Sequence, residues 1–373
     1  MNEKKIRIVD IAFNHNPNVS DLNVAIERYK EGLGYTEHSE HLDVSVVIHI
    51  NRSGRKIVNG IRYFYFKGRN KFFHLPFRAI LLVKREQPQF VLVQGLRFPF
   101  QVLLLKLFTA RSSKIIIQHH GESPYVGLKK YFQRVAGRYV DAYLFTSISN
   151  AKKWVNEGII RRQEQCFEVL EASTYFKQGD KTACKQLLGL GNTSNFLWVG
   201  RLDANKDPLT VLNGFELYLE RNPGAKLHMV YQTEDILPQV KVKIDSSASL
   251  YKNVNMVGRL RHEELESWYN ACDFYLSGSH REGSGYALLE AMACGCIPIV
   301  TDIPSFRKIT ADGQYGFLYE KGNAQQLANV LASVNEIDQT QFASRIVAYF
   351  KNELSFEKIA ADIYAVCKKL KPE

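Results

Sequence analysis

Two carboxylates, Glu282 and Glu290, flank a glycine-rich turn and form the most informative pattern in this chain. Between them the sequence reads Gly283-Ser284-Gly285-Tyr286-Ala287, so small residues precede the expected start of a helix. Backbone amides at a helix start carry the positive end of the helix dipole, and neighbouring glycines let a diphosphate approach them closely. The pattern therefore indicates a sugar-nucleotide site.

The residues around this turn predict a strand, a loop and a helix. Apolar Phe274 to Leu276 indicate a buried strand, and the small residues 277–285 indicate a loop. Tyr286 to Ala293 indicate a helix that Gly295 ends. Because the E-x7-E spacing alone also arises by chance, the prediction depends on these three elements.

Two cations lie on a second loop. Phe196 to Val199 predict a buried strand, and Gly200-Arg201-Leu202-Asp203-Ala204-Asn205-Lys206 follows it. Because Arg201 and Lys206 leave one strand end on one loop, their guanidinium and ammonium groups can face the same phosphate oxygens. A third loop follows the strand Ile115 to Ile117 and contains His119 and His120 before a glycine, at the position where doubly wound sheets bind ligands.

These segments together resemble the donor half of the retaining glycosyltransferases of family 4, which have the two-domain GT-B fold. The resemblance covers Asn195 to about Val334 and rests on segments in the family's order, namely 196–206, Ala271-Cys272-Asp273, 279–295, Ile297 to Thr301 and Gly316-Phe317-Leu318-Tyr319. It implies a cleft between two Rossmann-like domains with doubly wound parallel sheets, in which a nucleoside diphosphate sugar binds.

By this resemblance, Glu290 would accept hydrogen bonds from the ribose hydroxyls, and Glu282 would hold a hydroxyl of the donor sugar. Arg201 and Lys206 would stabilise the departing diphosphate. The implied donor-binding residues are Gly200, Arg201, Lys206, Arg259, Leu260, Glu282, Gly283, Ser284, Gly285, Tyr286, Ala287 and Glu290. The family commonly has an aromatic residue where this chain has Ser284, so the donor sugar does not follow from the resemblance.

The catalytic residues that the resemblance implies are Glu282, Arg201, Lys206 and a first-domain histidine. We assign that histidine as His120, with His119 as the alternative, and expect its imidazole to donate to a donor-sugar hydroxyl. A retaining front-face mechanism would let the leaving phosphate take the acceptor's proton. Neither Asp21 nor Asp141 can be argued from sequence as a general base.

We expect neither a metal nor another cofactor. No Asp-x-Asp occurs in the chain, so the carboxylate pair that holds a diphosphate-bound divalent ion in metal-dependent glycosyltransferases is missing, and cationic side chains replace it. The paired glycines that the family often carries after its first strand are also missing. This chain has Asn14-His15-Asn16-Pro17-Asn18 there, and its asparagines stay unassigned.

The chain alternates short apolar runs with helical stretches, which predicts parallel sheets flanked by helices. The predicted strands are Ile6 to Phe13, Val44 to Ile50, Arg62 to Phe66, Phe90 to Gln94, Lys114 to Gln118, Ala142 to Thr146, Phe196 to Val199, Lys226 to Tyr231, Val254 to Val257, Phe274 to Leu276 and Ile297 to Val300. We predict an acceptor-binding domain over 1–178 and a donor domain over 190–350. The C-terminal helix within 351–373, Phe356 to Leu370, is expected to cross back onto the first domain.

Length and composition indicate an ordinary globular protein, with 373 residues of which 45% are hydrophobic and 23% charged. No apolar stretch approaches the roughly 20 residues that cross a bilayer, and Asp10 interrupts the opening apolar run, so we expect a cytoplasmic protein. The six cysteines form no C-x-x-C pair and are expected to be reduced and structural.

The net charge of +11 is unevenly distributed. Up to Lys177 there are 28 basic against 15 acidic residues, and Glu86 is the only acid between Asp43 and Glu122. Basic residues and aromatics interleave there: Arg52, Arg55, Lys56, Arg62, Lys67, Arg69, Lys71, Arg78, Lys84 and Arg85 with Tyr63, Phe64, Tyr65, Phe66, Phe72, Phe73 and Phe77. This segment suits an anionic membrane face or an anionic acceptor, and the alternative is a solvated rim. No nucleic-acid-binding motif accompanies it, so we expect no nucleic-acid partner.

The leading hypothesis is a metal-independent, retaining transferase that moves a hexose-type sugar from a UDP- or GDP-sugar to a cell-envelope glycan or a lipid-linked acceptor, working in the cytoplasm or on the inner membrane face. An epimerase or a sugar phosphorylase of the same fold is the second hypothesis, and a non-catalytic binding homologue is the third. An NAD oxidoreductase is disfavoured because no G-x-G-x-x-G follows the first strand.

Overall fold

The structure is a computed structural model that describes residues 5–68 and 75–371. The described chain divides into two compact units, with the divisions between Ser173 and Thr174 and between Ser355 and Phe356. The segment that follows Phe356 belongs to the first unit. Arg69, Lys71, Phe72 and Phe73 of the basic and aromatic segment lie outside the described residues.

The first unit is built on an eight-stranded sheet in the order β3-β4-β2-β1-β5-β6-β7-β8. Only the β3 and β4 pair is antiparallel. The strands are β1 Ile6–Asn16, β2 Leu42–Ile50, β3 Gly54–Val58, β4 Ile61–Lys67, β5 Phe90–Gln94, β6 Lys114–Gln118, β7 Ala142–Phe145 and β8 Cys166–Glu168. The central strands are apolar runs buried on both faces, as expected for a parallel sheet covered by helices.

The helices of the first unit are α1 Leu22–Leu33, α2 Phe77–Glu86, α3 Pro99–Phe108, α4 Leu128–Gly137, α5 Lys152–Asn156 and, from the end of the chain, α15 Phe356–Leu370. Short 3-10 turns occupy Gly34–Thr36, Ile148–Ala151 and Gln163–Gln165. The helix α15 has the bounds predicted from sequence. It packs so closely on the first unit that a Cβ on Gly34 would lie 2.5 Å from the Phe356 ring, and Tyr364 stacks on His41 at 4.8 Å.

The second unit is built on a six-stranded parallel sheet in the order β11-β10-β9-β12-β13-β14. Its strands are β9 Asn195–Gly200, β10 Lys226–Tyr231, β11 Val254–Gly258, β12 Phe274–Ser277, β13 Ile297–Thr301 and β14 Phe317–Tyr319. Its helices are α6 Lys181–Leu188, α7 Pro208–Leu219, α8 Leu237–Asp245, α9 Ala248–Asn253, α10 His262–Ala271, α11 Tyr286–Cys294, α12 Pro304–Ile309, α13 Ala324–Ser333 and α14 Gln339–Tyr349, with a 3-10 turn at Val334–Glu336 and a π-helical turn at Phe350–Leu354.

The predicted class, two α/β units with parallel sheets, is confirmed. Three strands were missed, β3, β8 and β14. The first of them had a signal, because Asn59-Gly60 forms a two-residue hairpin turn with positive φ at both positions, 50° and 80°. The strand itself is solvent-exposed, so it lacks the apolar pattern on which the other strands were recognised. The other two have three residues each, too few to show a period.

All six cysteines are free, and five of them are buried. No helix within the described ranges has both the length and the apolar character needed to cross a membrane.

Candidate donor-binding site

The glycine-rich turn opens a helix, as the sequence predicted. Helix α11 begins at Tyr286, and Gly285 before it has a φ of 66°, in the left-handed region that favours glycine. A Cβ at Gly285 would also lie only 2.9 Å from the Phe306 ring. The helix ends at Gly295 with a φ of 76°. The first turn of α11 therefore begins directly after a position that only glycine fits well.

The two predicted loops are held together by backbone and side-chain hydrogen bonds. The amide of His280 donates to the Asn205 carbonyl at 2.8 Å, and the Asn205 side-chain amide donates to the Arg281 carbonyl at 3.1 Å. A Cβ on Gly278 would lie 2.7 Å from the carbonyl oxygen of Asp207, so this glycine permits the close approach. The structure therefore brings the Arg201 loop and the Glu282 loop together at the carboxyl edge of the parallel sheet.

Lys206 and Glu282 form an ion pair between these loops. Their side chains are only 20% and 14% exposed, so water screens the pair incompletely. The loop that carries Lys206 is shaped by Asp203, whose carboxylate accepts from the amides of Asn205 at 3.0 Å and Lys206 at 2.9 Å. In the free protein the ammonium charge therefore already has a carboxylate partner.

Arg201 is more than half exposed and lies 3.1 Å from the Asp203 carboxylate. It is thus the more accessible of the two predicted phosphate-binding cations. Gly200, the last residue of β9, lies at the same sheet edge, where a Cβ would meet the Trp198 ring at 3.1 Å. Arg259 and Leu260 follow the end of β11, so they too lie at this carboxyl edge.

Glu290 lies on the first turns of α11 and is only 5% exposed. One carboxylate oxygen is 2.6 Å from Nε2 of His262, and the other accepts from the Tyr269 hydroxyl at 3.0 Å. Burial, with the Glu290 carboxylate beside it, raises the pKa of Tyr269 well above its ordinary value, so the hydroxyl keeps its proton. The ring of His262 stacks on Phe176 at 4.8 Å. Glu290 is therefore held in place by His262 and by the Tyr269 hydroxyl.

Sequence reasoning missed His262 and Tyr269 as partners of Glu290. A signal existed, because the two residues are seven apart on α10 and two helical turns place them on one face. Without the tertiary structure nothing connects that face to Glu290.

Ser284 is 2% exposed, and no hydrogen-bond partner of its Oγ is found in the part of the chain that the structure describes. Such a buried hydroxyl is costly unless something satisfies it. It stands in the turn that precedes the α11 amides, two residues after Glu282. The arrangement offers a ligand one more hydroxyl donor and acceptor at the place where the resembling family commonly has a ring.

The predicted histidine of the first unit, His120, lies in the loop after β6 and is 34% exposed at its side chain. Its Nδ1 is 2.8 Å from the buried Glu171 carboxylate, and its Nε2 is 2.8 Å from the side-chain oxygen of Gln94. The amide nitrogen of Gln94 in turn donates to both oxygens of Asp10, at 2.9 and 2.8 Å. Because Gln94 presents its oxygen to Nε2, that nitrogen must carry a proton.

The charges around His120 favour its protonated form. Burial opposes protonation, but Glu171, with smaller effects from Glu122 and Asp10, outweighs it and raises the pKa of His120 to about 9. Burial raises the pKa of Asp10 to about 6, although hydrogen bonds from Tyr35 and Gln94 act in the opposite direction. His120 is therefore an imidazolium near neutral pH, a hydrogen-bond donor and not a base.

The alternative, His119, is buried and satisfied within the first unit. Its Nε2 is 3.1 Å from the Glu122 carbonyl oxygen, its Nδ1 accepts from the Gly121 amide at 3.3 Å, and its ring packs on Phe145 at 4.8 Å. Burial lowers the pKa of His119. Of the two neighbours, His120 is the one that a ligand can reach.

Asp21 and Asp141 have structural partners. Asp21 caps α1 by accepting from the amides of Asn23 and Val24, and Asp141 accepts from the Ile115 amide at 2.9 Å and pairs with Lys114 at 3.1 Å. Among the residues described, no group of three His, Cys, Asp or Glu side chains is placed to hold a metal ion.

Comparison with known proteins finds similarity over the segment that carries these loops. Residues 184–352, which carry both loops and α11, match the family model described as glycosyl transferases group 1. The chain is 26% identical over 153 residues to the GDP-mannose:cellobiosyl-diphosphopolyprenol alpha-mannosyltransferase of Xanthomonas oryzae, a match that covers 40% of each chain. It is 34% identical over 112 residues to mannosylfructose-phosphate synthase of Agrobacterium fabrum, covering 28% of this chain and 24% of that one. The matched segment thus spans less than half the length of these relatives.

Solved structures match both units. The sucrose-phosphate synthase of Thermosynechococcus elongatus aligns with a TM-score of 0.70 at 16% identity, over 98% of this chain and 99% of that one. Anabaena Alr3699/HepE in complex with UDP aligns with a TM-score of 0.70 at 15% identity, over 98% and 100%. At such identities the likeness shows the fold, which is the GT-B fold. Over residues 184–352, a little less than half of its length, this chain is similar to the glycosyl transferases group 1 family.

Proposed function

We propose that this protein is a retaining glycosyltransferase that moves a hexose-type sugar from a UDP- or GDP-sugar to a cell-envelope glycan or a lipid-linked acceptor. The observation that carries the proposal is the joining of the Arg201 loop to the Glu282 loop beside the amides of α11. This edge of the sheet carries two cations, the start of α11 and two carboxylates. Those are the groups that a diphosphate, a sugar and a ribose require.

Each group has a proposed part in the reaction. Arg201 and the α11 amides hold the diphosphate, where negative charge grows as the bond between the sugar C1 and the phosphate oxygen breaks. A donor-sugar hydroxyl donates to Glu282, which frees Lys206 to turn toward the phosphate. Glu290, held by His262 and Tyr269, accepts from the ribose hydroxyls. His120 of the first unit, as an imidazolium, exchanges its Gln94 partner on Nε2 for a donor-sugar hydroxyl, to which it donates.

In the proposed retaining step, the acceptor hydroxyl attacks C1 of the donor sugar on the same face from which the leaving group departs. The acceptor proton passes to the departing phosphate oxygen, so the products are the glycoside and the nucleoside diphosphate. This route needs no carboxylate base, which fits the structural partners found for Asp21 and Asp141. We propose that fixed cations and amides do here what a bound metal ion does in other transferases, and that no other cofactor takes part.

The names of similar proteins support a nucleotide-sugar donor but do not choose the base, because one relative is named for GDP-mannose and one structure contains UDP. We infer the class of acceptor from the same relative, whose name specifies a diphosphopolyprenol acceptor. A lipid-linked acceptor would place the protein in the cytoplasm or at the inner face of the membrane.

Thermal unfolding with UDP, GDP, UDP-sugars and GDP-sugars, each with and without EDTA, tests the donor site. We expect one nucleotide series to raise the melting temperature equally in both buffers, because a ligand that binds only the folded state stabilises it. Melting temperatures unaffected by every nucleotide would refute the site. Incubation of the stabilising sugar nucleotide with a polyprenyl-linked acceptor then tests transfer. Release of an epimer without acceptor, or a requirement for inorganic phosphate, would instead indicate an epimerase or a phosphorylase.

A further inference from the structure

Three neighbouring helices of the first unit expose large apolar side chains on the face that points away from the sheet. Helices α2, α3 and α4 each contribute buried residues to the same sheet-covering core. Their neighbours meet through rings, Phe77 with Phe108 at 6.3 Å and Phe100 with Phe132 at 4.6 Å. The exposed apolar residues of these helices and of the turn before α4 are Phe77, Leu81, Leu107, Val126, Leu128 and Tyr131, which we call the three-helix surface.

The middle helix makes this surface unusual. In α3 the buried residues are apolar except Gln101, and Phe100, Leu103 and Leu104, which are only half-buried, are apolar as well. Leu107 is 74% exposed, and Lys106 is the only charged residue of the helix. A helix that is apolar on all sides is normally covered on all sides. Here α2 and α4 flank it, and its outer face is left uncovered by the described residues.

The helices that carry the three-helix surface also carry cations. Arg78, Lys84, Arg85, Lys106, Lys129 and Arg138 lie on or directly after the three helices. The nearby acids are engaged: Glu86 accepts from the Ser45 hydroxyl at 3.4 Å and lies 3.9 Å from Arg62, and Glu157 pairs with Lys130 at 2.9 Å. The surface therefore combines apolar side chains with a net positive border.

We propose that the three-helix surface docks on an anionic lipid bilayer, with its apolar side chains at the depth of the headgroups and its cations against the lipid charge. Apolar and basic residues on one amphipathic surface bind such a bilayer through buried area and electrostatic attraction together. The docking rests on the proposed function only for its biological purpose: a lipid-linked acceptor stays in the membrane, so the enzyme has to reach it there. The binding itself does not require that the enzyme be active.

Vesicle sedimentation of the full chain tests the proposal. We expect binding to vesicles of phosphatidylglycerol and phosphatidylcholine that weakens as salt rises, and little binding to phosphatidylcholine alone. The double variant Leu107→Ser/Leu128→Ser should lower the partition coefficient at least about tenfold, since each removes a large apolar side chain. Leu187→Ser is the matched control, because Leu187 is 73% exposed on α6 of the second unit, and it should leave binding unchanged.

An introduced tryptophan gives a direct readout of insertion. The three native tryptophans are buried, so an exposed one adds a distinct signal. Emission of Leu107→Trp should shift to the blue when anionic vesicles are added, whereas that of Leu187→Trp should not.

Three results would overturn the proposal. One is equal binding to neutral and anionic vesicles, and another is an equal loss of binding in the Leu187→Ser control. The third is a wild-type protein that is dimeric and a double variant Leu107→Ser/Leu128→Ser that is monomeric but still binds vesicles. In that case the three-helix surface would be a protein interface. Nucleotide-induced thermal stabilisation is measured on the same samples. Its absence beside intact vesicle binding would count against the donor site and not against the docking surface.

Discussion

Replacing Lys206 by methionine tests the donor-site reasoning most directly. The change keeps most of the aliphatic stem and removes the charge that pairs with Glu282. Because the two side chains are only 20% and 14% exposed, the pair lies between a surface pair, worth about 0–1 kcal/mol, and a buried one, whose disruption costs about 3–5 kcal/mol. We expect Lys206→Met to lower the free energy of unfolding by about 1–3 kcal/mol.

The effect on turnover should be larger than the effect on stability. If Lys206 stabilises charge on the departing diphosphate, its loss raises the activation barrier by about 2–4 kcal/mol, as for other charge-stabilising donors. That corresponds to a roughly 30- to 1,000-fold fall in kcat. Turnover is measured with the nucleotide sugar that stabilises the wild-type protein.

A double variant separates the two effects. Lys206→Met/Glu282→Gln removes both charges, so the unfolding free energy should recover much of its loss while turnover stays low. Lys243→Met is the control, because Lys243 pairs with Glu216 at 2.5 Å in the same unit and both side chains are partly buried, at 26% and 31% exposed. Its turnover should be unchanged. A kcat of Lys206→Met within threefold of the wild type would refute the proposed role of this cation.

Further predictions concern the other polar groups. Glu290→Gln should weaken nucleotide binding about 10- to 100-fold, because hydrogen bonds to a charged group are worth about 1.5–3 kcal/mol. Tyr269→Phe should weaken binding far less; a calorimetric titration in which Tyr269→Phe costs more affinity than Glu290→Gln would contradict this prediction. The pKa of His120, raised to about 9 from 6.5, contributes stability that is complete below pH 6.5 and is lost as the pH rises through 9; urea unfolding across pH 6 to 10 should show this loss, and Glu171→Gln should reduce it. Ser284→Ala should leave stability unchanged or slightly higher and raise KM for the sugar nucleotide without changing the affinity for the free nucleotide; an unchanged KM would mean that this hydroxyl does not touch the donor sugar.

The sequence predicted the class of fold, most strand positions and the helix that ends the chain. These features follow from local periodicity, since a buried parallel strand is a short apolar run and an amphipathic helix repeats every 3.6 residues. The helix α11 and its glycine ends were predictable for the same reason, because Gly285 and Gly295 take backbone conformations that other residues avoid. Short or exposed edge strands such as β8 and β3 carry no such pattern.

The sequence by itself also indicated which chemistry the second unit can offer, since the two cations lie on one short segment and the two carboxylates with their glycines lie on another. Only the tertiary structure decided how they are paired. Lys206 meets Glu282 across 76 residues, and His262 meets Glu290 across 28, because parallel strands bring their carboxyl ends to one edge. The surroundings of His120 were likewise decided by Glu171, which follows β8, and by Gln94, which ends β5. Contacts between distant segments depend on sheet order, and no local pattern encodes it.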